Sequence, residues 1–152
     1  MFDVFGNMDS PEEINRTAEG LFNEGDMENI RLLAEENGLD PELTEGYIRG
    51  ETPLLCDAMT AAIGKLEIEK KDKAVEGYNS RIPADPIADY LIGKCEEETF
   101  ALRIRKKEKS LLGCLKYIEQ EARKTVTRER PWLHDAAVYK MARTYYLQEE
   151  KR

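Results

Sequence analysis

Three features of this 152-residue sequence predict an all-α fold. Helix-start signals recur at Ser10-Pro11-Glu12-Glu13, Asp40-Pro41-Glu42 and Asp85-Pro86. Each is a capping side chain followed by a proline, whose missing N–H is not needed in a first helical turn. Apolar residues return at spacings of three and four through most of the chain, which places them on one face of a helix. Alternation of apolar and polar residues never exceeds about four positions, so no strand pattern competes. The expectation is a compact bundle of six or seven helices in two small lobes.

The first helix is expected over 11–24. Ser10 caps it, Glu13 completes a capping box, and Ile14, Ala18, Leu21 and Phe22 share a face before Gly25 ends it. Asp26 caps a second helix carrying Met27, Ile30, Leu33 and Ala34, with Asn37-Gly38 as a left-handed stop. A third, with Leu43, Tyr47 and Ile48, starts at Asp40-Pro41 and ends at Gly50. The short connections force these helices to pack as neighbours. A helix over 54–74 then carries Leu54, Leu55, Ala58, Met59, Ala62, Ile63 and Leu66 before the charged stretch Glu67 to Lys73. Gly77, Asn79, Ser80 and the pre-proline Ile82 disfavour helix, so 76–84 reads as a linker between modules 1–75 and 85–152. In the second module, a helix over 86–107 aligns Ile87, Leu91, Cys95, Thr99 and Leu102, with a bend near Glu98. Another over 109–125 aligns Leu111, Cys114, Leu115, Ile118 and Ala122. Thr125-Val126-Thr127 and Pro131 interrupt, and a last helix over 132–149 aligns His134, Val138, Met141 and Tyr145.

The net charge of -8 conceals a split: residues 1–80 hold 7 Lys/Arg against 19 Asp/Glu, and residues 81–152 hold 16 against 12. An acidic module of this density repels nucleic acid and attracts a basic protein surface, whereas the basic module can contact phosphates or dock on the acidic one. No apolar run approaches the roughly 18 residues of a membrane span. The first twenty residues show neither a basic leader nor an apolar core of a signal peptide. Cys56, Cys95 and Cys114 are odd in number and far apart, so they are expected as reduced, buried thiols in a cytoplasmic protein. One histidine and three scattered cysteines do not make a four-ligand metal site, and no EF-hand spacing occurs. No metal and no cofactor is expected.

The parts for catalysis are few. Ser110, Cys114 and His134 are the conceivable nucleophiles and base, but no nucleophile elbow accompanies them and no glycine-rich phosphate cradle exists. His134 reads as a surface or capping residue, and the chain is expected not to be an enzyme. Consecutive carboxylates at Glu96, Glu97 and Glu98 point about 100° apart on a helix and read as a solvated face. Two charged surfaces remain as binding candidates. The basic one comprises Arg103, Arg105, Lys106, Lys107 and Lys109, continued by Lys116, Arg123, Lys124, Arg128 and Arg130. The acidic one comprises the carboxylates outside the apolar stripes of the first three helices: Glu12, Glu19, Glu24, Glu28, Glu35, Glu36, Glu42 and Glu45. The aromatic residues Trp132, Tyr139, Tyr145 and Tyr146 read as core or interface at helical spacing.

Tyr90-Leu91, Phe100-Ala101, Lys109-Ser110-Leu111, Cys114 and Tyr117-Ile118 are followed by Val138-Tyr139-Lys140-Met141-Ala142 and Tyr145-Tyr146. In order and spacing this series, spanning Ile87 to Glu149, resembles the PcfK-like family of conjugative elements and phages of gut bacteria. Before the last helix the family commonly has Gly-Phe-x-Asp-Asp-Glu where this chain has Pro131-Trp132-Leu133-His134-Asp135. The opening MFDVFGNMDSPEEIN is similar to the anti-CRISPR group of that family, inhibitors of type II RNA-guided DNA nucleases.

The resemblance implies a binding protein acting in the cytoplasm of a bacterial host cell on a type II CRISPR effector nuclease. Such a nuclease holds its nucleic acids in basic channels, and an acidic module can act as a DNA mimic by presenting carboxylates in place of phosphates. The alternative is a conjugation accessory protein of a mobile element that contacts DNA through its basic C-terminal half.

Overall fold

The protein is described here from a computed structural model over residues 4–6, 8–125 and 134–148. These residues contain nine α-helices, one 3₁₀ turn and no strand. The first helices are α1 (Pro11–Asn23), α2 (Met27–Glu36) and α3 (Pro41–Ile48), followed by α4 (Ala58–Lys70) and the single-turn α5 (Lys73–Glu76). After the 3₁₀ turn Gly77–Ser80 come α6 (Ala84–Lys94), α7 (Glu98–Arg105), α8 (Leu111–Thr125) and α9 (Asp135–Leu147). No helix among the described residues is long and apolar enough to cross a membrane.

The all-helical expectation holds, but the count exceeds six or seven because two expected helices are each divided. Within 54–74, Asp57 and Thr60 form a reciprocal capping box, the Thr60 amide donating to Asp57 Oδ1 at 2.8 Å and the Asp57 amide to Thr60 Oγ1 at 3.0 Å. This starts α4 at Ala58 and leaves Leu54 and Leu55 outside it; Asp72 then caps α5 by accepting from the Ala74 amide at 2.9 Å. Within 86–107, the break at Cys95 to Glu97 resets the helical phase. Ile87, Ala88, Leu91 and Cys95 are buried before it and Phe100, Ala101 and Ile104 after it, whereas Thr99 is exposed and Leu102 half-buried. Asp85 does not cap α6, which begins one residue earlier; Pro86 falls in the first turn, where its missing N–H leaves no bond broken. The phase of α9 is one residue off the expected one: Ala142 and Tyr146 are buried, while Val138, Met141 and Tyr145 pack at the core's margin.

Two apolar cores result. One gathers Ile14 and Ala18 of α1, Ile30 and Leu33 of α2, Tyr47 of α3, Leu55, Cys56 and Ala61. The other gathers Ala62 and Leu66 of α4 with Val75, Tyr78, Leu91, Cys95, Phe100, Cys114, Ile118 and Tyr146. Adjacent residues of α4 thus face opposite cores, and Ala61, Ala62, Gly64, Lys65 and Leu66 are all buried, as expected of a helix apolar on every side. The turn at 77–80 lies inside the stretch expected as a linker, and its Tyr78 is buried in the second core. Gly38, at φ +73°, ends α2 directly against the backbone of Gly64, a contact with no room for a Cβ on either side.

Candidate functional site

Of the eight candidate carboxylates, Glu12, Glu19, Glu24, Glu28, Glu35 and Glu42 are exposed. The other two hold the fold together. Glu36 is half-buried and accepts from the amides of Val4 at 3.2 Å, Phe5 at 2.9 Å and Gly6 at 3.3 Å, which ties the N-terminal segment to α2. Glu45 of α3 accepts from Arg31 Nε of α2 at 2.6 Å, and this hydrogen bond lowers its pKa.

The eight do not converge on one point. Glu12 and Glu19 line a cleft of about 480 Å³ between α1, the 53–57 segment and α7. Glu35 and Glu45 line another of about 500 Å³, together with Arg31, Glu67 and Lys71. The first cleft also takes in Asp57, Glu98, Tyr47, Leu54 and Leu102, none of which was a sequence-level candidate. The available signal was Leu54: an apolar residue after Pro53 and before the Asp57 cap, left 55% exposed because α4 starts after it.

The basic candidates divide in the opposite proportion. Lys106 and Lys107 are exposed and Arg103 is half-exposed, its Nη1 donating to the Leu147 carbonyl at 3.1 Å. Arg105 and Lys109 are not surface residues, which corrects the expectation for both. Arg105 is 1% exposed and donates from Nε to the Met8 carbonyl at 2.7 Å, from Nη1 to the Ala61 carbonyl at 3.1 Å, and from Nη2 to Asn37 Oδ1. Burial brings its pKa down to about 10. Lys109 is buried against α9, with Nζ donating to the Tyr145 carbonyl at 2.8 Å and lying 4.6 Å from the centre of the Tyr145 ring. The turn after α7 explains the split: Arg105 ends the helix on its buried side beside Ile104, Lys106 and Lys107 follow it on the water side, and Lys109 turns back toward α9. Lys116, Arg123 and Lys124 are exposed on α8, where Arg123 pairs with Glu119 and Lys124 with Glu121. Arg128, Arg130 and Trp132 lie outside the described residues.

Sequence reasoning missed the residues that clamp this basic segment. Lys65 of α4, buried within an apolar run, donates to the carbonyls of Ile104 at 2.8 Å, Lys106 at 2.6 Å and Lys109 at 2.6 Å. Desolvation brings its pKa down to about 8. One turn on, Glu69 accepts from the Leu111 amide at 2.9 Å and so caps α8, with its pKa raised by burial. Asp9 accepts from the Lys107 amide at 2.7 Å. The segment joining α7 to α8 is thereby fixed from the N-terminal side of the chain.

The residues weighed for nucleophilic chemistry take structural positions. Cys114 is fully buried and burial pushes its thiol up, away from the thiolate that a nucleophile requires. Burial likewise pushes Cys56 and Cys95 up to about 12. Ser110 Oγ accepts from the Gly113 amide at 2.9 Å, and His134 is the exposed N-cap residue of α9. Tyr139 stacks on Tyr90 with ring centres 4.6 Å apart, and Tyr146 meets Phe100 edge-on at 6.1 Å, so both rings are engaged in packing. Glu96, Glu97 and Glu98 are exposed as expected, Glu97 pairing with Arg143. Among the described residues no group of three His, Cys, Asp or Glu side chains is arranged to hold a metal ion.

The apolar positions of α6 to α9 that carry the sequence resemblance, Leu91, Phe100-Ala101, Leu111, Cys114, Ile118, Ala142 and Tyr146, are buried in one core, which makes the resemblance one of fold. No curated protein and no solved structure matches the chain. Residues 82–151, from before α6 to beyond α9, match the model of a family described as PcfK-like protein.

Proposed function

We propose that this chain is a binding protein of a mobile genetic element or phage that inhibits a type II RNA-guided DNA nuclease by covering a basic nucleic-acid-binding surface. The observation that carries this reading is the disposition of charge on α1 to α3. Six of the eight candidate carboxylates there are exposed, while two of the five residues of the basic cluster are buried. Carboxylates held on rigid helices present a negative field without folding on contact, which favours electrostatic docking on a surface built for phosphates. The PcfK-like match over 82–151 agrees with the family resemblance from which the mobile-element part of this reading is taken.

The direct test is retention of guide-loaded type II nuclease by the purified protein, with duplex DNA as the parallel bait, followed by a DNA-cleavage assay. Retention of nuclease and loss of cleavage are expected. Changing Glu12, Glu19, Glu28 and Glu42 together to Gln should slow association and weaken inhibition, and added salt should do the same as the Debye length falls from about 10 Å to about 3 Å. Retention of DNA alone would favour the conjugation reading, in which the exposed Lys106, Lys107 and Lys116 contact phosphates.

A further inference from the structure

We propose that the cleft between α1, the 53–57 segment and α7 receives a basic, leucine-anchored helical segment of a partner protein. The inference rests on the reading that the acidic half is the binding half, and it names the place and the kind of element bound. The cleft holds about 480 Å³, room for a few side chains rather than a domain. Tyr47, Pro53, Leu54 and Leu102 supply apolar lining, and Leu54 is 55% exposed although it stands beside a buried core. An apolar side chain entering between Leu54 and Leu102 would cover both.

The charge of the rim selects the occupant. Glu12, Glu19, Asp57 and Glu98 surround the lining against one cation, Arg16. No salt bridge among the described residues engages Glu12, Glu19, Glu98 or Arg16, so this negative charge is not neutralised from within. Glu12 and Glu19 stand two turns apart on α1, about 10 Å along its axis, a spacing that Lys or Arg residues seven positions apart on a second helix would match.

The main chain at the cleft indicates that the occupant is a helix. The Cys56 amide donates to Asn15 Oδ1 at 3.0 Å and Asn15 Nδ2 donates to the Cys56 carbonyl at 2.9 Å, so the main-chain groups of Cys56 are already closed on α1. No strand edge exists among the described residues to pair with an extended peptide. An occupant that satisfies its own backbone and contributes only side chains fits these conditions.

The test uses the full chain and a synthetic amphipathic peptide of about 18 residues, long enough to form helix on contact. The peptide carries two leucines one turn apart, flanked by arginines seven positions apart; the control carries glutamates in place of the arginines. The basic peptide is expected to bind and to shift the amide resonances of residues 54–57 and of α1. Its affinity should fall at least about tenfold in Leu54→Ser and in Glu12→Lys/Glu98→Lys. Both variants alter exposed side chains, and Glu76→Lys, exposed on α5 and outside both the cleft and the acidic face of α1 to α3, should leave affinity unchanged. Equal binding of the glutamate peptide, an equal loss in Glu76→Lys, or no binding of the basic peptide would each overturn the proposal. Nuclease inhibition by a wild-type protein that does not bind the peptide would sink the cleft and leave the functional reading standing. Peptide binding in the cleft by a protein that does not inhibit the nuclease would do the reverse.

Discussion

Each helix of the N-terminal half is started by a neighbour in sequence, whereas in the C-terminal half only α8, through Ser110, has such a start and α6, α7 and α9 do not. Ser10, Asp26, Asp40 and Asp57 each accept from an amide in the first turn of the helix they precede. The corresponding residues before α6, α7 and α9, Pro83, Glu97 and His134, make no such bond. At their other ends, the C-terminal carbonyls of α7 and α9 find donors across the fold: Lys65 donates to the Ile104 carbonyl and Arg103 to the Leu147 carbonyl. A locally capped helix can start anywhere it occurs. A helix whose terminal groups wait for a lysine on another element is completed only once that element has docked. The 82–151 segment therefore depends on α4, Asn37 and residues 8–9 for its polar completion.

The largest effect is expected at Arg105, where all three acceptors, Met8, Ala61 and Asn37, come from the N-terminal side. Arg105→Met keeps much of the stem volume but leaves three buried acceptors without their donor. A loss of about 3 to 4 kcal/mol is expected, since each hydrogen bond from a charged donor contributes about 1.5–3 kcal/mol and relief of desolvation offsets part of the sum. Chemical denaturation measures it, and a loss under about 1 kcal/mol would show that the halves do not need this joint.

Lys65→Met should come next, at about 2 kcal/mol near neutral pH, because the carbonyls of Ile104, Lys106 and Lys109 lose one shared donor. The pH dependence is the sharper measurement. Folded Lys65 releases its proton near about 8, while in the unfolded chain it holds the proton to its ordinary 10.5. Between these values the unfolded state binds more protons, so this group's contribution to stability rises with pH. The stability gap between wild type and Lys65→Met should therefore widen across that window, by at most about 1.4 kcal/mol per pH unit. The buried thiols, present in both proteins, cancel in the difference. A gap that narrows would mean that Lys65 is not desolvated in the folded protein.

The same contrast explains what could be read from the chain. Asp40-Pro41 marks α3 to the residue because cap and helix are adjacent, and α1 and α2 are legible for the same reason. The bend expected near Glu98 is a full break over Cys95 to Glu97; its position was legible, but no glycine or proline there announces that the helix stops, and Leu91 before it and Ile104 after it enter the same core. Arg105 looked like its neighbours Lys106 and Lys107, since nothing local distinguishes a basic residue facing a distant carbonyl from one facing water. The exposed carboxylates of α1 were legible by phase. Their cleft was not, because Glu98 and Leu102 reach it from the other half of the chain.

A backbone contact inside the N-terminal half, where the end of α2 abuts the helix shared by both cores, gives a smaller and cleaner test. A Cβ on Gly64 would come to 2.5 Å from the Asn37 carbonyl oxygen, so Gly64→Ala must push α2 away from α4. Overpacking of this kind costs about 1–3 kcal/mol. Gly93, exposed in α6 with open space around its Cα, provides the control: Gly93→Ala should stabilise by about 0.5–1 kcal/mol through helix propensity alone. Opposite signs in thermal melts are expected, and a destabilising Gly93→Ala would mean that the α6 face meets a partner in solution.

The smallest effects distinguish the two kinds of helix start directly. Ser10 Oγ accepts from the Glu13 amide at 3.2 Å, while Glu13 reaches back to the Asp9 amide at 3.1 Å, so the α1 start is closed by its own residues. Ser10→Ala should cost about 1 kcal/mol, the usual value of a lost cap. His134 occupies the equivalent position before α9 but makes no side-chain cap bond and is exposed. His134→Ala should therefore change stability by less than about 0.5 kcal/mol, as for a surface position without a special role. Urea denaturation of the two variants at one pH decides the matter. Equal losses would mean that α9 is locally capped after all, and the division between a self-starting N-terminal half and a tertiary-held C-terminal half would have to be redrawn around α6 and α7 alone.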